Sequence, residues 1–106
     1  MADLKISVLR PDKDLTVIHL AGEFEGYNVL NNKEQLLDHV KHSASKELMV
    51  DFAEIEYIDS AAVGALLEMM RLSEKHKKGF GLLHVSDSVR KVLVVTKLDK
   101  ILKIYE

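Results

Sequence analysis

The 106-residue sequence contains no cysteine, which excludes disulfides, thiolate metal sites and a thiol nucleophile. The absence fits a reducing compartment. Only one proline and five glycines interrupt it, so most of the chain is expected in regular structure. No apolar run approaches the ~20 residues a membrane span needs. The start, Met1-Ala2-Asp3-Leu4-Lys5, lacks the basic segment and apolar stretch of a signal peptide. The chain is therefore expected to stay in the cytoplasm, with no membrane partner. Aromatic residues are only 6% and the basic residues are scattered, which argues against nucleic acid. Neither G-x-x-x-x-G-K-[ST] nor G-x-G-x-x-G occurs, so no phosphate-binding glycine loop is expected.

What remains is a globular composition, 47% hydrophobic and 30% charged, of one domain's length. A chain this long buries roughly two-thirds of its unfolded surface, enough for one core. Charge is unevenly spread within the formal −2. Residues 1–70 carry 6 basic against 13 acidic side chains, and residues 71–106 carry 9 against 4. Such asymmetry marks either a partner surface or two solvated faces.

Leu4–Leu9 alternates and reads as a strand, Arg10–Asp14 as a turn and Leu15–Ala21 as a second strand, together a hairpin. On the second strand Thr16, Ile18 and Leu20 are expected to face the helices, and His19 a more open side. After the loop Gly22–Gly26, a helix is expected over Tyr27–His42, with Val29, Leu30, Lys33, Leu36, Leu37 and Val40 on its apolar face. Leu48–Phe52 reads as a buried strand. A second helix is expected from Ser60 to about His76, its first turns unusually poor in bulk and its end marked by Lys77-Lys78-Gly79. Phe80–Val85 reads as a strand. A third helix, capped by Ser86 or Asp87, presents Val89, Val92, Leu93 and Thr96, and Ile101–Tyr105 closes the chain as a fifth strand. The order β-β-α-β-α-β-α-β predicts a single α/β domain with a mixed, largely parallel five-stranded sheet and helices mainly on one face.

Ser60 follows Asp59 at the start of the second helix. Unpaired N–H groups and a partial positive charge there favour a phosphate. An ordinary N-cap serine fits the same position, and the two readings are compatible. A serine hydrolase would need a base and an oxyanion site, but Ser60 lies in no G-x-S-x-G elbow and no triad spacing accompanies it. His39 and His42 share a helix face, yet nothing is spaced to complete a metal site. His19 and His84 read as structural strand histidines. Glu23/Glu25 and Glu54/Glu56 read as exposed pairs, and Met69-Met70 as core. No catalytic residue, metal or cofactor is expected.

At Tyr57-Ile58-Asp59-Ser60-Ala61-Ala62-Val63-Gly64 the sequence resembles the STAS domain of bacterial anti-sigma-factor antagonists. That family carries an apolar residue, Asp-Ser, a small residue, Gly, an apolar residue and Gly. The resemblance extends over nearly the whole chain, residues 1–106. It includes Gly22 with its acidic loop, Val50-Asp51-Phe52 and the closing Thr96–Ile104 stretch. It implies a regulatory binding protein, not an enzyme. By resemblance, Ser60 is phosphorylated by a partner that is both kinase and anti-sigma factor. The unphosphorylated protein captures that partner and frees a sigma factor, and a metal-dependent Ser/Thr phosphatase removes the mark. The implied partner surface comprises Glu23, Glu25, Tyr27, Asp59, Ser60, Ala61, Ala62 and Gly64. Ala61 stands where the family often has a second hydroxyl, and Ala62 where it usually has Gly. The alternative is an unphosphorylated STAS subunit that scaffolds a transport or stress-signalling complex.

Overall fold

In the computed structural model, which describes residues 3–105, β1 (Lys5–Asp12) and β2 (Leu15–Ala21) form the expected hairpin. Met1, Ala2 and Glu106 lie outside the described residues, so the stretch read for a leader is only partly covered. The hairpin turn is tighter than expected: β1 runs through Arg10 and Pro11 to Asp12, with a register shift between Leu9 and Asp12. Pro11 is tolerated because β1 is an edge strand, where a missing N–H costs no ladder bond. The Asp12 carboxylate then accepts from the Asp14 N–H at 2.6 Å and closes the turn.

The remaining elements are α1 (Gly26–His42), β3 (Glu47–Glu54), α2 (Ser60–Lys75), β4 (Gly79–Leu83), α3 (Asp87–Val95), a 3₁₀ turn at Leu98–Lys100, and β5 (Lys103–Tyr105). The sheet order is β1-β2-β3-β4-β5, antiparallel in the hairpin and parallel thereafter. Some boundaries differ from expectation for local reasons. Lys77 takes the left-handed conformation after α2, which leaves Gly79 to open β4. His84 does the same and stops β4 two residues before Val85. Ile101 follows the 3₁₀ turn and is not part of β5.

Register explains the layering. Ile18, Val50, Leu82 and Ile104 sit side by side across four strands on the helix-covered face. They join Leu36 and Val40 of α1, Ala65, Leu66 and Met69 of α2, and Val89 and Leu93 of α3 in one apolar cluster. A fully buried leucine or isoleucine there contributes ~1.5–3 kcal/mol. The next row, His19, Asp51, Leu83 and Tyr105, points to the opposite face. His19 is only half-buried, as its assignment to the open side requires. Leu30, expected on the apolar stripe of α1, is instead 66% exposed. Thr96, expected on the buried face of α3, is exposed at its C-terminus, where its hydroxyl donates to the Val92 carbonyl. Among the described residues, no helix is long and apolar enough to cross a membrane.

Candidate functional site

The residues singled out in the sequence meet where β2 and β3 end and α1 and α2 begin. Gly22 turns the chain out of β2 at φ +113°, and its N–H reaches the Glu54 carbonyl. A Cβ at this position would lie 2.0 Å from the Asp3 carbonyl oxygen, so only glycine fits. Phe24 then dives into the core, bridges to Ile58 and packs edge-on against Phe52 at 5.9 Å. Asn28 ties the loop back by donating to the Glu23 carbonyl at 2.8 Å. Glu23 and Glu25 flank Phe24, half-buried, while Tyr27 projects to solvent.

Asp59 joins the two helix starts. One carboxylate oxygen accepts from the Ala62 N–H at 3.1 Å and caps α2. The other accepts from the Gly26 N–H at 2.8 Å, in the first turn of α1. Charge-assisted bonds of this type are roughly twice as strong as neutral ones. Asp59 thus clamps the starts of two helices, its bond to Gly26 spanning 33 residues of sequence.

This corrects the reading of Ser60 as the cap. Asp59 has extended backbone, φ −117° and ψ −172°, and fills the capping position; Ser60 is the first helical residue. The Ser60 side chain is exposed, and its hydroxyl has no hydrogen-bond partner among the described residues. The next residues divide by helix geometry. Ala61 is half-buried and packs against the core, and Ala62 is fully buried within it. Ala62 therefore acts through packing and offers no partner surface. Gly64, one turn beyond Ser60, is exposed, and a Cβ there would meet nothing within 4 Å.

An acidic cleft lies at the same end of the domain. Glu23, Glu25, Glu56 and Tyr57 line an open cleft with Gly22. Glu56 is held in place because the Ser86 hydroxyl, which also caps α3, donates to the Glu56 carbonyl at 3.0 Å. An ion pair between α1 and α2, Lys33 with Glu68 at 3.2 Å, explains why a lysine occupies the expected stripe of α1.

A second polar cluster was missed in the sequence. His19 from β2 contacts Asp51 at 3.1 Å through Nδ1 and Glu54 at 2.7 Å through Nε2. His84, which lies in a turn and not in a strand, approaches the other Asp51 oxygen at 2.9 Å. The Glu54 and Asp51 carboxylates raise the His19 pKa above 6.5. Burial pushes the Asp51 pKa up, but His84, the Ala53 N–H and His19 together bring it below 3.8. Histidines 65 residues apart, joined by one aspartate, show only in the strand register. His39 and His42 lie at the end of α1, where His42 Nδ1 contacts the Asp38 carbonyl.

A family model described as "Mlab, STAS domain" matches residues 8–103. A Thermotoga maritima protein, provisionally named an anti-sigma factor antagonist, is 24% identical over 101 residues, 95% of this chain and 81% of that one. The anti-sigma factor antagonist SpoIIAA in its unphosphorylated form superposes with a TM-score of 0.78 at 24% identity, covering 96% of this chain and 89% of the other. The phosphorylated form of Bacillus SpoIIAA superposes with a TM-score of 0.71 at 22% identity, covering 96% and 92%. At these identities the likeness establishes the fold.

Proposed function

The chain belongs to the STAS domain family, and on that premise we propose that it is an anti-sigma-factor antagonist switched at Ser60. Unphosphorylated, it binds a kinase-type anti-sigma factor and releases a sigma factor in the cytoplasm. Phosphorylation of Ser60 by that partner ends the capture, and a metal-dependent Ser/Thr phosphatase restores it. The chain itself acts by binding, with no cofactor. The observation that carries this reading is the exposed, unbonded Ser60 hydroxyl, freed because Asp59 does the capping.

The electrostatics support a switch by charge. A phosphate adds about −1.5 to −2 at neutral pH. In the free domain the start of α2 offsets this by only ~0.3–1 kcal/mol, and water solvates the rest, so the fold survives. In a complex a phosphate on Ser60 would lose water at the same end of the domain as the Glu23, Glu25 and Glu56 carboxylates. An uncompensated buried ion costs several kcal/mol. A loss of ~3 kcal/mol already weakens binding about a hundredfold. Ser60 and Gly64, one turn apart and both exposed, offer a partner close approach to α2. Basic groups on that partner would match the acidic rim.

Incubation of the purified chain with its cognate kinase, followed by phosphosite mapping, tests the reading. Phosphate on Ser60 is expected. A phosphate found only on Ser7, Ser43, Ser45, Ser73, Ser86 or Ser88 overturns it. One observation favours a second reading, the unphosphorylated scaffold subunit. Ala61 and Ala62 leave Ser60 the only hydroxyl in the first turn of α2. That reading is supported if Ser60 stays unmodified while the chain still assembles with a transport or stress-signalling complex.

A further inference from the structure

We propose that this chain self-associates head to tail, the C-terminal turn of α3 in one copy seating on the acidic end around Ser60 in the next. The Ser60 site does not use the basic surplus of residues 71–106, net +5, and α3 carries part of it on an apolar patch. Val95 is 81% exposed, and Val94 and Ile101 beside it are also exposed. Val94 and Val95 line a shallow depression with Asp87, Arg90 and Lys91, and Lys97 and Lys100 follow in the sequence. Adjacent exposed valines weaken a helix, because branched side chains lose rotamer freedom there. No burial within the domain offsets that cost at Val95.

The complementary surface is on the same molecule. The exposed Tyr57 lines the cleft with Glu23, Glu25 and Glu56, and Tyr27, 68% exposed, follows Glu25 by two residues in the first turn of α1. The two surfaces lie toward opposite ends of the domain. β2, β3 and β4 run parallel, and the acidic cleft sits where β2 and β3 finish. α3 starts at that same end, where Ser86 bonds to Glu56, and then runs away from it. The nine residues from Asp87 to Val95, eight steps of 1.5 Å, span ~12 Å. One molecule therefore cannot satisfy both surfaces by itself, while two neighbours can.

A two-fold dimer that paired either surface with its own copy would set like charges against like, at a cost. The complementary pairing is heterologous: apolar and basic on one copy, aromatic and acidic on the other. Such contacts propagate unless the rotation closes a ring. The contact buries only a few apolar side chains, so it is weak and concentration-dependent. Resting on the reading proposed above, association covers Ser60 and withholds it from a kinase when the protein is abundant.

Analytical ultracentrifugation of the full chain tests this without kinase or partner, so its outcome is separable from the fate of the antagonist reading. Mass should rise with concentration in dilute buffer. It should fall back in 1 M salt, where the screening length shrinks to ~3 Å. Val95→Asp and the double variant Glu23→Lys/Glu25→Lys should each weaken association about tenfold or more. Thermal melts establish that both remain folded. Mixing the two variants should restore association, because each keeps the surface that the other has lost. A wild-type chain that stays monomeric at every concentration overturns the proposal. So does association that both variants leave unchanged, or a mixture that stays monomeric.

Discussion

Replacing Gly64 by alanine should make the domain more stable and its partner complex weaker. Gly64 lies inside α2 with no neighbour within 4 Å of a Cβ position. Alanine there avoids the glycine penalty of about 0.5–1 kcal/mol in a helix interior. Part of that gain comes from a less flexible unfolded chain. For a domain of this size the melting temperature should rise by roughly 2–8 °C. The stabilising residue is thus absent from an exposed position where nothing in the domain resists it. A partner backbone packed against the bare helix would explain the glycine. An added methyl in such a contact costs ~1–3 kcal/mol, or about fivefold to a hundredfold in affinity. Calorimetric melts of both proteins, and titration of each into the cognate anti-sigma factor, measure the two effects. A lower melting temperature would refute the helix argument. Unchanged affinity would remove the Ser60–Gly64 stripe from the interface.

Asp59→Ala should destabilise the domain by about 2 kcal/mol in urea unfolding, because it removes the α2 cap and leaves the Gly26 N–H without its acceptor; a change below about 0.5 kcal/mol would disprove the clamp. Stability should also depend on pH through His19. The folded pKa lies above 6.5, so the stabilisation is complete below 6.5 and is lost as pH rises through the folded value. Asp51 works in the other direction: its contribution is present above pH 3.8 and disappears as pH falls through its lowered value. Melting temperature should therefore decline as pH rises past 6.5, and His19→Gln should flatten that decline; an equally steep decline in the variant would clear His19 of the effect.

The sheet and the helices were legible because alternation and helical spacing report burial directly. Thr16, Ile18 and Leu20 separate from His19 in both. Errors arose where tertiary context decides. Pro11 read as a turn residue, but on an edge strand it is harmless. Leu30 matched the apolar period of α1, yet at its position on the helix it faces solvent. The place of Ser60 at the start of α2 was clear from the sequence. Which of two adjacent cap-forming residues takes the extended backbone was not, since Asp59 and Ser60 both suit the role. The bond from Asp59 to Gly26 and the link from His19 through Asp51 to His84 span more than 30 residues each, and no local pattern announces them.

Titration of the proposed partner, a kinase-type anti-sigma factor, with the unphosphorylated chain and with the chain phosphorylated at Ser60 tests the proposed switch directly. The unphosphorylated form should bind about a hundredfold more tightly, Ser60→Ala should bind like it, and Ser60→Asp should bind less well. Equal affinity for all four proteins would contradict control by charge at Ser60.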